Sequence, residues 1–483
     1  MRYEEMPRLP ATSWAGNLRD LVDDRLNFLR GLSTGPDMLR GNALHIPMVF
    51  ANTPALAHEV MVDKARLFEK SPGFRLVLHY LAGQGLFTSE GDLWKRQRKL
   101  MAPLFQPSAL GPYGRTMTAC ARRAVDRWRD GETIDIAREM TRVTMAVVGD
   151  TLFGADTFDE ADELGEALTA ALQWTGDNIG SPMIAVHIAL SDLAGDVAPR
   201  VPDRLRRPFH RLQDRLREPF LMAGARSPVL QNAIARLDRR MQAMIDERRR
   251  EQAPVQADLL TRLLRARDED DGLGAMSDRQ VRDEAVTLFV AGHETTATAL
   301  AWAFYLLARS PEALAQAQAE ADGFDDDREH FSPTRLPYLT RVFKEALRLY
   351  PPVVALPRRT LAPITLGGYE LAERTLVFIN PYTVHYRPDL YPEPDRFDPD
   401  RWLPEREAAR PKGSFLPFGA GPRVCIGLHF AMMEGPLVMA TVLRRTRLAI
   451  DPRREILPGD SATIRPAGGV PAVVTRVTPP AQA

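Results

Sequence analysis

The chain has 483 residues, 45% hydrophobic and 26% charged, proportions that exclude a disordered, fibrous or collagen-like protein and allow a large buried interior. With 63 Lys plus Arg against 63 Asp plus Glu the formal charge is zero, so no global field draws in nucleic acid. The 2 cysteines, Cys120 and Cys425, exclude a disulfide framework and a multi-cysteine zinc site and suit a reducing compartment.

The N-terminus lacks a basic start followed by an apolar core, and no run of about 18 apolar residues occurs anywhere, so neither a secretion signal nor a membrane anchor is expected, and a cytoplasmic protein is. Without a Gly/Ser linker or an internal repeat, residues 1–483 are expected to form one domain. Asp37 to Phe50 reads as two short strands around a Gly41-Asn42 turn, followed by a helix opening at Thr53-Pro54. Similar helix starts recur at Ser310-Pro311 and Ser332-Pro333, where a hydroxyl can cap and proline takes the first helical position.

The longest helix begins at Ser277, where Gln280 completes a capping box, and runs towards Arg309, roughly 48 Å at 1.5 Å per residue. It is apolar almost all round, from Val286 and Phe289 to Phe304 and Leu307, and should cross the interior. After Pro351-Pro352 the texture turns to short β-prone runs, Val353 to Leu356, Ile364 to Leu366, a Gly367-Gly368 turn and Leu376 to Ile379; Ala462 to Ile464 and Ala472 to Val477 read similarly. The fold class is mainly α with small β-sheets, comprising a β-rich part at about 37–50, a helical core at about 91–350 and a glycine-rich loop at 418–427.

That loop, Phe418-Gly419-Ala420-Gly421-Pro422-Arg423-Val424-Cys425-Ile426-Gly427, presents one cysteine just before an apolar helix that starts near Leu428. Backbone N–H groups and the helix dipole would lower the pKa of its thiol and suit metal ligation. A buried, inert cysteine in a turn is the alternative. In the long helix, Ala291-Gly292-His293-Glu294-Thr295-Thr296 places polar groups in an apolar stretch, where each needs a partner. One reading has the threonine bonded to the preceding turn, with Glu294 reaching solvent. Glu345 and Arg348 lie three apart on a helix, and Trp94 and Arg98 four apart within a basic run; taken alone, both read as solvated faces.

Phe-x-x-Gly-x-x-x-Cys-x-Gly, filled by Phe418, Gly421, Cys425 and Gly427, resembles the haem-binding loop of the cytochrome P-450 monooxygenases. The other motifs follow in that family's order from Trp94 to Glu434. The resemblance implies haem b (iron protoporphyrin IX) held between the long central helix and the cysteine loop, with Cys425 as the metal ligand. It implies Arg423, Trp94, Arg98 and Arg358 (or Arg359) around the haem propionates and Phe418 shielding the sulfur. By the same resemblance Gly292 leaves room for dioxygen, Thr295 stabilises the activated oxygen with ordered water, and Glu294 relays protons; His293 is not a ligand. Glu345 and Arg348 would join Arg401 in a structural triad, with Arg396 as the rival third member. The chain departs from the pattern between Asp177 and Gln252, where a segment including Leu216 to Asn232 enlarges the helices over the haem.

The activity so implied is insertion of one oxygen atom from O2 into a hydrophobic molecule such as a fatty acid, terpenoid, steroid or polyketide. Pocket walls are expected at Phe74 to Phe87, Phe289 to Gly292, Val353 to Leu356 and the enlarged segment. No nucleotide-binding fingerprint stands on a strand-helix unit, so electrons would come from a separate ferredoxin or flavodoxin with its NAD(P)H-dependent reductase. Lys95, Arg96 and Lys99 could attract an acidic donor. A peroxide-driven peroxygenase and a non-catalytic haem-binding protein are the alternatives.

Overall fold

The computed structural model describes residues 1–478 apart from 12, 14–15, 18–19, 203–207, 210–214, 217, 251–257, 266, 269–273, 325–334 and 460. Its longer helices are α1 (Pro72–Ala82), α2 (Gly91–Met101), α3 (Tyr113–Arg127), α4 (Ile136–Val148), α5 (Ala161–Ile179), α6 (Pro182–Val197), α7 (Pro228–Arg250), α8 (Asp278–Ala308), α9 (Pro311–Asp322), α10 (Pro337–Leu349) and α11 (Leu428–Arg445). The strands that matter here are β1 (Met38–Ala43), β2 (Ile46–Ala51), β3 (Phe68–Lys70), β4 (Thr133–Asp135), β5 (Leu356–Thr360), β6 (Ile364–Leu366), β7 (Tyr369–Leu371), β8 (Leu376–Ile379), β9 (Thr446–Ala449) and β10 (Pro471–Arg476).

Helix α8 is the axis of the molecule. Ser277 and Gln280 cap it reciprocally, and it runs 31 residues before Arg309 closes it, as the capping box and Ser310-Pro311 suggest. Leu300, Trp302 and Ala303 have no exposed surface, so their burial rather than an amphipathic stripe fixes its place. Helix α4 crosses it closely: Thr144 Oγ1 donates to the His293 carbonyl at 3.0 Å. A Cβ on Gly292 would lie 2.8 Å from Val148 Cγ2, so this crossing itself requires the glycine.

The five-stranded sheet has the order β1-β2-β8-β5-β3, joining the first seventy residues to the segment after Pro351-Pro352. β8 runs parallel to β2 and antiparallel to β5, and β5 pairs Arg358 with both Val377 and Lys70. β9-β10-β4 form a second sheet, and β6-β7 a hairpin about Gly367-Gly368.

Several local expectations shift. The first hairpin turns at Leu44-His45, because Ala43 pairs with Ile46 while Gly41 and Asn42 lie within β1. Gly41 answers a close approach instead: a Cβ there would lie 2.6 Å from Asn17 Oδ1. Thr53 caps the helix Pro54–His58 through Leu56 N–H, whereas Ser310 makes no side-chain cap, and Ser332-Pro333 lies outside the described residues. Val353 to Ala355 is an approach to β5 rather than part of it. Ala462 to Ile464 is a loop pressed on α8, where the Ile464 carbonyl accepts from Trp302 Nε1 at 2.7 Å. No helix among the described residues is long and apolar enough to cross a membrane.

Candidate functional site

The cysteine loop is held by its own backbone and by tight packing. Gly419 and Gly421 both take φ +68°, and a Cβ at Gly421 would collide with the Met61 carbonyl oxygen. Cys425 N–H donates to the Phe418 carbonyl at 2.8 Å, and the Phe418 ring packs on the main core. Gly427 is the N-cap of α11, and its N–H bonds to Cys425. Cys425 is an exposed residue although protein packs closely around its thiol. Burial pushes the thiol up, opposed by the Gly427 N–H and the Arg98 charge; the protein alone does not produce the lowered pKa expected from the helix terminus.

Beside this loop lies an unbalanced cluster of charge. Arg423 sits 5.2 Å over Trp94 and Lys70 Nζ 5.9 Å from the same ring. Glu90, the N-cap of α2, accepts from Arg423 Nη1 at 2.7 Å and Nη2 at 2.5 Å, and from the Lys70 N–H at 2.8 Å. Among the described residues the Arg358 side chain bonds only the Pro357 carbonyl, at 3.1 Å, and it is pushed down to about 10 by burial and by Arg423. Burial likewise pushes Lys70 down to about 7, against the pull of Glu90. Arg98, one turn beyond Trp94, has no hydrogen-bonded or ion-paired partner among the described residues and acts electrostatically on Cys425. Arg359, the alternative to Arg358, lies on the other face of β5, matched by Glu69 at 2.6 Å and Asp192 at 2.8 Å. Of the basic run, Lys95 is exposed and pairs with Asp92, Lys99 is exposed, and Arg96 is buried, so Arg96 is not presented to a partner.

In the middle of α8 the burial relaxes at Val290, Ala291, Gly292 and Thr295, of which Ala291 and Thr295 are one turn apart on one face. Thr295 Oγ1 donates to the Ala291 carbonyl at 2.9 Å, the bond to the preceding turn. Glu294 does not reach solvent: it is buried, ion-paired with Arg465, and accepts from Thr463 Oγ1 at 2.5 Å. His293 is fully buried with Nδ1 2.8 Å from the Phe289 carbonyl, and burial pushes it down to about 4, so it is neutral. Earlier on α8, Asp283 Oδ2 accepts from Gln84 N–H and Glu284 Oε2 from Leu86 N–H, both at 2.9 Å. These carboxyl groups hold the loop after α1 and its Phe87 against the central helix. Phe74 and Phe87 are 5.8 Å apart.

On α10, Glu345 and Arg348 are wholly buried and paired through two bonds of 2.7 and 2.9 Å. Arg401 Nε lies 3.3 Å from Glu345, and Arg396 is exposed and pairs with Glu393. Trp402 Nε1 completes the cluster by donating to Glu345 Oε2 at 2.9 Å. Lys70, Glu90 and Trp402 were not singled out by sequence. Trp402 stood in the quoted Pro-Asp-Arg-Trp run, Glu90 two residues before the α2 charges, and Lys70 had only its place opposite Arg358 in a sheet register to mark it.

The residues present fit an iron porphyrin. They offer one exposed cysteine and, near it, the four cations Lys70, Arg98, Arg358 and Arg423 with the Glu90 carboxylate among them, a surplus that two propionates would offset in large part.

The comparisons agree with this geometry. The family model Cytochrome P-450 matches residues 7–470, and the chain belongs to that family. It is 33% identical to cyclooctatin synthase of Streptomyces melanosporofaciens over 92% of this chain and 90% of that one. It is 32% identical to pentalenene oxygenase of Streptomyces avermitilis over 93% and 92%. The crystal structure of the cytochrome P-450DA heme domain superposes with a TM-score of 0.78 at 25% identity, covering 98% of both chains. The protein is thus a haem b enzyme of the monooxygenase class, which sets aside the non-catalytic alternative.

Proposed function

We propose that this enzyme hydroxylates a cyclic terpenoid hydrocarbon, or a derivative of one, drawing electrons from a separate ferredoxin or flavodoxin, and that residues 1–483 act as one domain. The observation that carries the reading is the exposed Cys425 beside an excess of buried cations. The names of the Streptomyces relatives, cyclooctatin synthase and pentalenene oxygenase, support the substrate class.

On this reading Cys425 is the iron ligand, with Gly427 N–H bonding the sulfur and Arg98 adding positive charge nearby. Lys70, Trp94, Arg98, Arg358 and Arg423 form the propionate-binding side, and Phe418 and Gly421 shape the loop. Bound haem supplies the oxygen activation, which no side chain here can perform. Thr295, at the accessible part of α8, is the hydroxyl nearest that chemistry and can exchange its bond to Ala291 for one to water. Gly292 permits the close α4 crossing and so sets how near this face stands. Glu294, held by Arg465 and Thr463, links the helix to the partly exposed Arg465 and is the carboxylate that hands protons inward. Phe74, Phe87 and Val290 supply apolar wall, and the polar groups of Asp283 and Glu284 are tied to backbone, which favours a substrate with few polar anchors.

The test is a binding screen on the purified, haem-loaded protein. Cyclic terpenes should shift the Soret band to the blue and be oxidised with NADPH, a ferredoxin and its reductase. A shift given only by small charged compounds would overturn the substrate class, and full turnover with hydrogen peroxide alone would favour the peroxygenase.

A further inference from the structure

We infer that Glu90 is a positioning residue that fixes Arg423 at Trp94 and, by cancelling part of the positive charge that Arg423 and Lys70 direct at the porphyrin, holds down the reduction potential of the haem. The inference rests on the haem-thiolate reading above.

One carboxylate couples three elements. Glu90 begins α2, which carries Trp94 and Arg98; it accepts the N–H of Lys70 at the end of β3; and it takes both Arg423 nitrogens from the cysteine loop, two residues before Cys425. Arg423 has one further bond, to the Phe68 carbonyl at 3.3 Å, so without Glu90 little fixes its side chain over the indole. The group is mostly enclosed, with 14% of the Glu90 side chain and 15% of that of Arg423 exposed, so solvent screens it weakly.

Reducing ferric haem adds one electron, hence one negative charge. Cations nearby favour that step and an anion opposes it. Glu90 is the carboxylate that meets Arg423 and Lys70, while Arg98 and Arg358 have no ion-paired carboxylate among the described residues. Removing a unit charge from such a setting shifts a one-electron equilibrium on the order of tenfold, which corresponds to about 59 mV.

The experiment is a spectroelectrochemical titration of the haem-loaded full chain, wild type against E90Q, E90D and K70M. Glu90→Gln keeps an acceptor for the Lys70 N–H and loses the charge, so its ferric–ferrous equilibrium should move about tenfold towards ferrous, while Glu90→Asp returns most of the way. In a K70M background the same step should persist, since a proton lost from Lys70 then cannot mask it. K70M alone should move the potential down. If E90Q fails to load haem, the K70M shift decides. E90Q or K70M potentials equal to wild type, or an E90Q shift downward, would overturn the inference. A wild-type protein without the red-shifted band of the reduced carbonyl adduct would instead sink the haem-thiolate reading itself.

Discussion

The chain holds two clusters of buried charge, and they are built on opposite plans. Around Glu345 two guanidiniums share one carboxylate, but each is matched by bonds within the chain. Arg348 gives two bonds to Glu345 and others to the carbonyls of His385, Pro394 and Arg396, while Arg401 and Trp402 close on the same carboxylate. Around Trp94 the count is unequal: Lys70 and Arg423 meet Glu90, while Arg98 and Arg358 have no ion-paired carboxylate among the described residues. A matched cluster is complete within the chain and works as scaffold; a mismatched one implies an anion brought by a ligand.

Breaking the matched cluster should have the largest effect. Arg348→Ala takes from the buried Glu345 its two-bond partner and leaves the carbonyls of His385, Pro394 and Arg396 without their donor, a change of about 3–5 kcal/mol. That is a large part of the stability of an ordinary domain. The expected result is little folded, haem-loaded protein, read as a collapsed ratio of Soret to 280 nm absorbance. Arg98→Ala should leave the fold intact, because among the described residues Arg98 has no carboxylate to strand. Its loss should instead speed haem transfer to apomyoglobin by about 10- to 100-fold, the value of one charge-assisted hydrogen bond. If Arg98→Ala unfolds the protein while Arg348→Ala does not, the distinction between the clusters fails.

Glu284 tests a third kind of buried charge, one with no cation bonded to it. Burial pushes its carboxyl up to about 8, against an ordinary 4.5. Between those values the folded protein holds a proton that the unfolded chain has released, so this group's contribution to stability falls as pH rises from about 5 to 8. Glu284→Gln should remove that fall. In urea titrations at pH 5.5 and pH 9, the wild type should lose stability relative to the variant by an amount on the order of a few kcal/mol. A pH-independent difference between the two would show that the carboxyl is ionised throughout.

The sequence made the long axis of the fold legible, because its signals are local. A capping box at Ser277, an apolar stretch and Ser310-Pro311 together define α8. The cysteine loop was equally readable from its glycines. What sequence missed depends on pairings far along the chain. Gly41-Asn42 has the composition of a turn, but its partner Asn17 cannot be read locally, so the turn was placed three residues early. Lys70 acquires meaning only when β3 pairs with β5 and sets it beside Arg358. The solvated-face reading of Glu345 and Arg348 shows the same limit, since their burial is created by Trp402 and the segment around Arg396, some fifty residues later.

The smallest expected effect sharpens the matched cluster to a single side chain. Arg396 and Arg401 both follow a Pro-Asp pair, and both lie near Arg348. The Arg396 side chain is exposed and meets Glu393 at 3.2 Å, whereas it is the backbone carbonyl of Arg396 that accepts from Arg348 Nη2, also at 3.2 Å. Alanine keeps that carbonyl. Arg396→Ala should therefore change stability by no more than about 0.5 kcal/mol. Arg401→Ala removes a buried cation 3.3 Å from Glu345 and should cost several times as much. Thermal melts of the two variants side by side measure this, and equal losses would mean that position in the cluster, rather than the side chain itself, is what Arg401 provides.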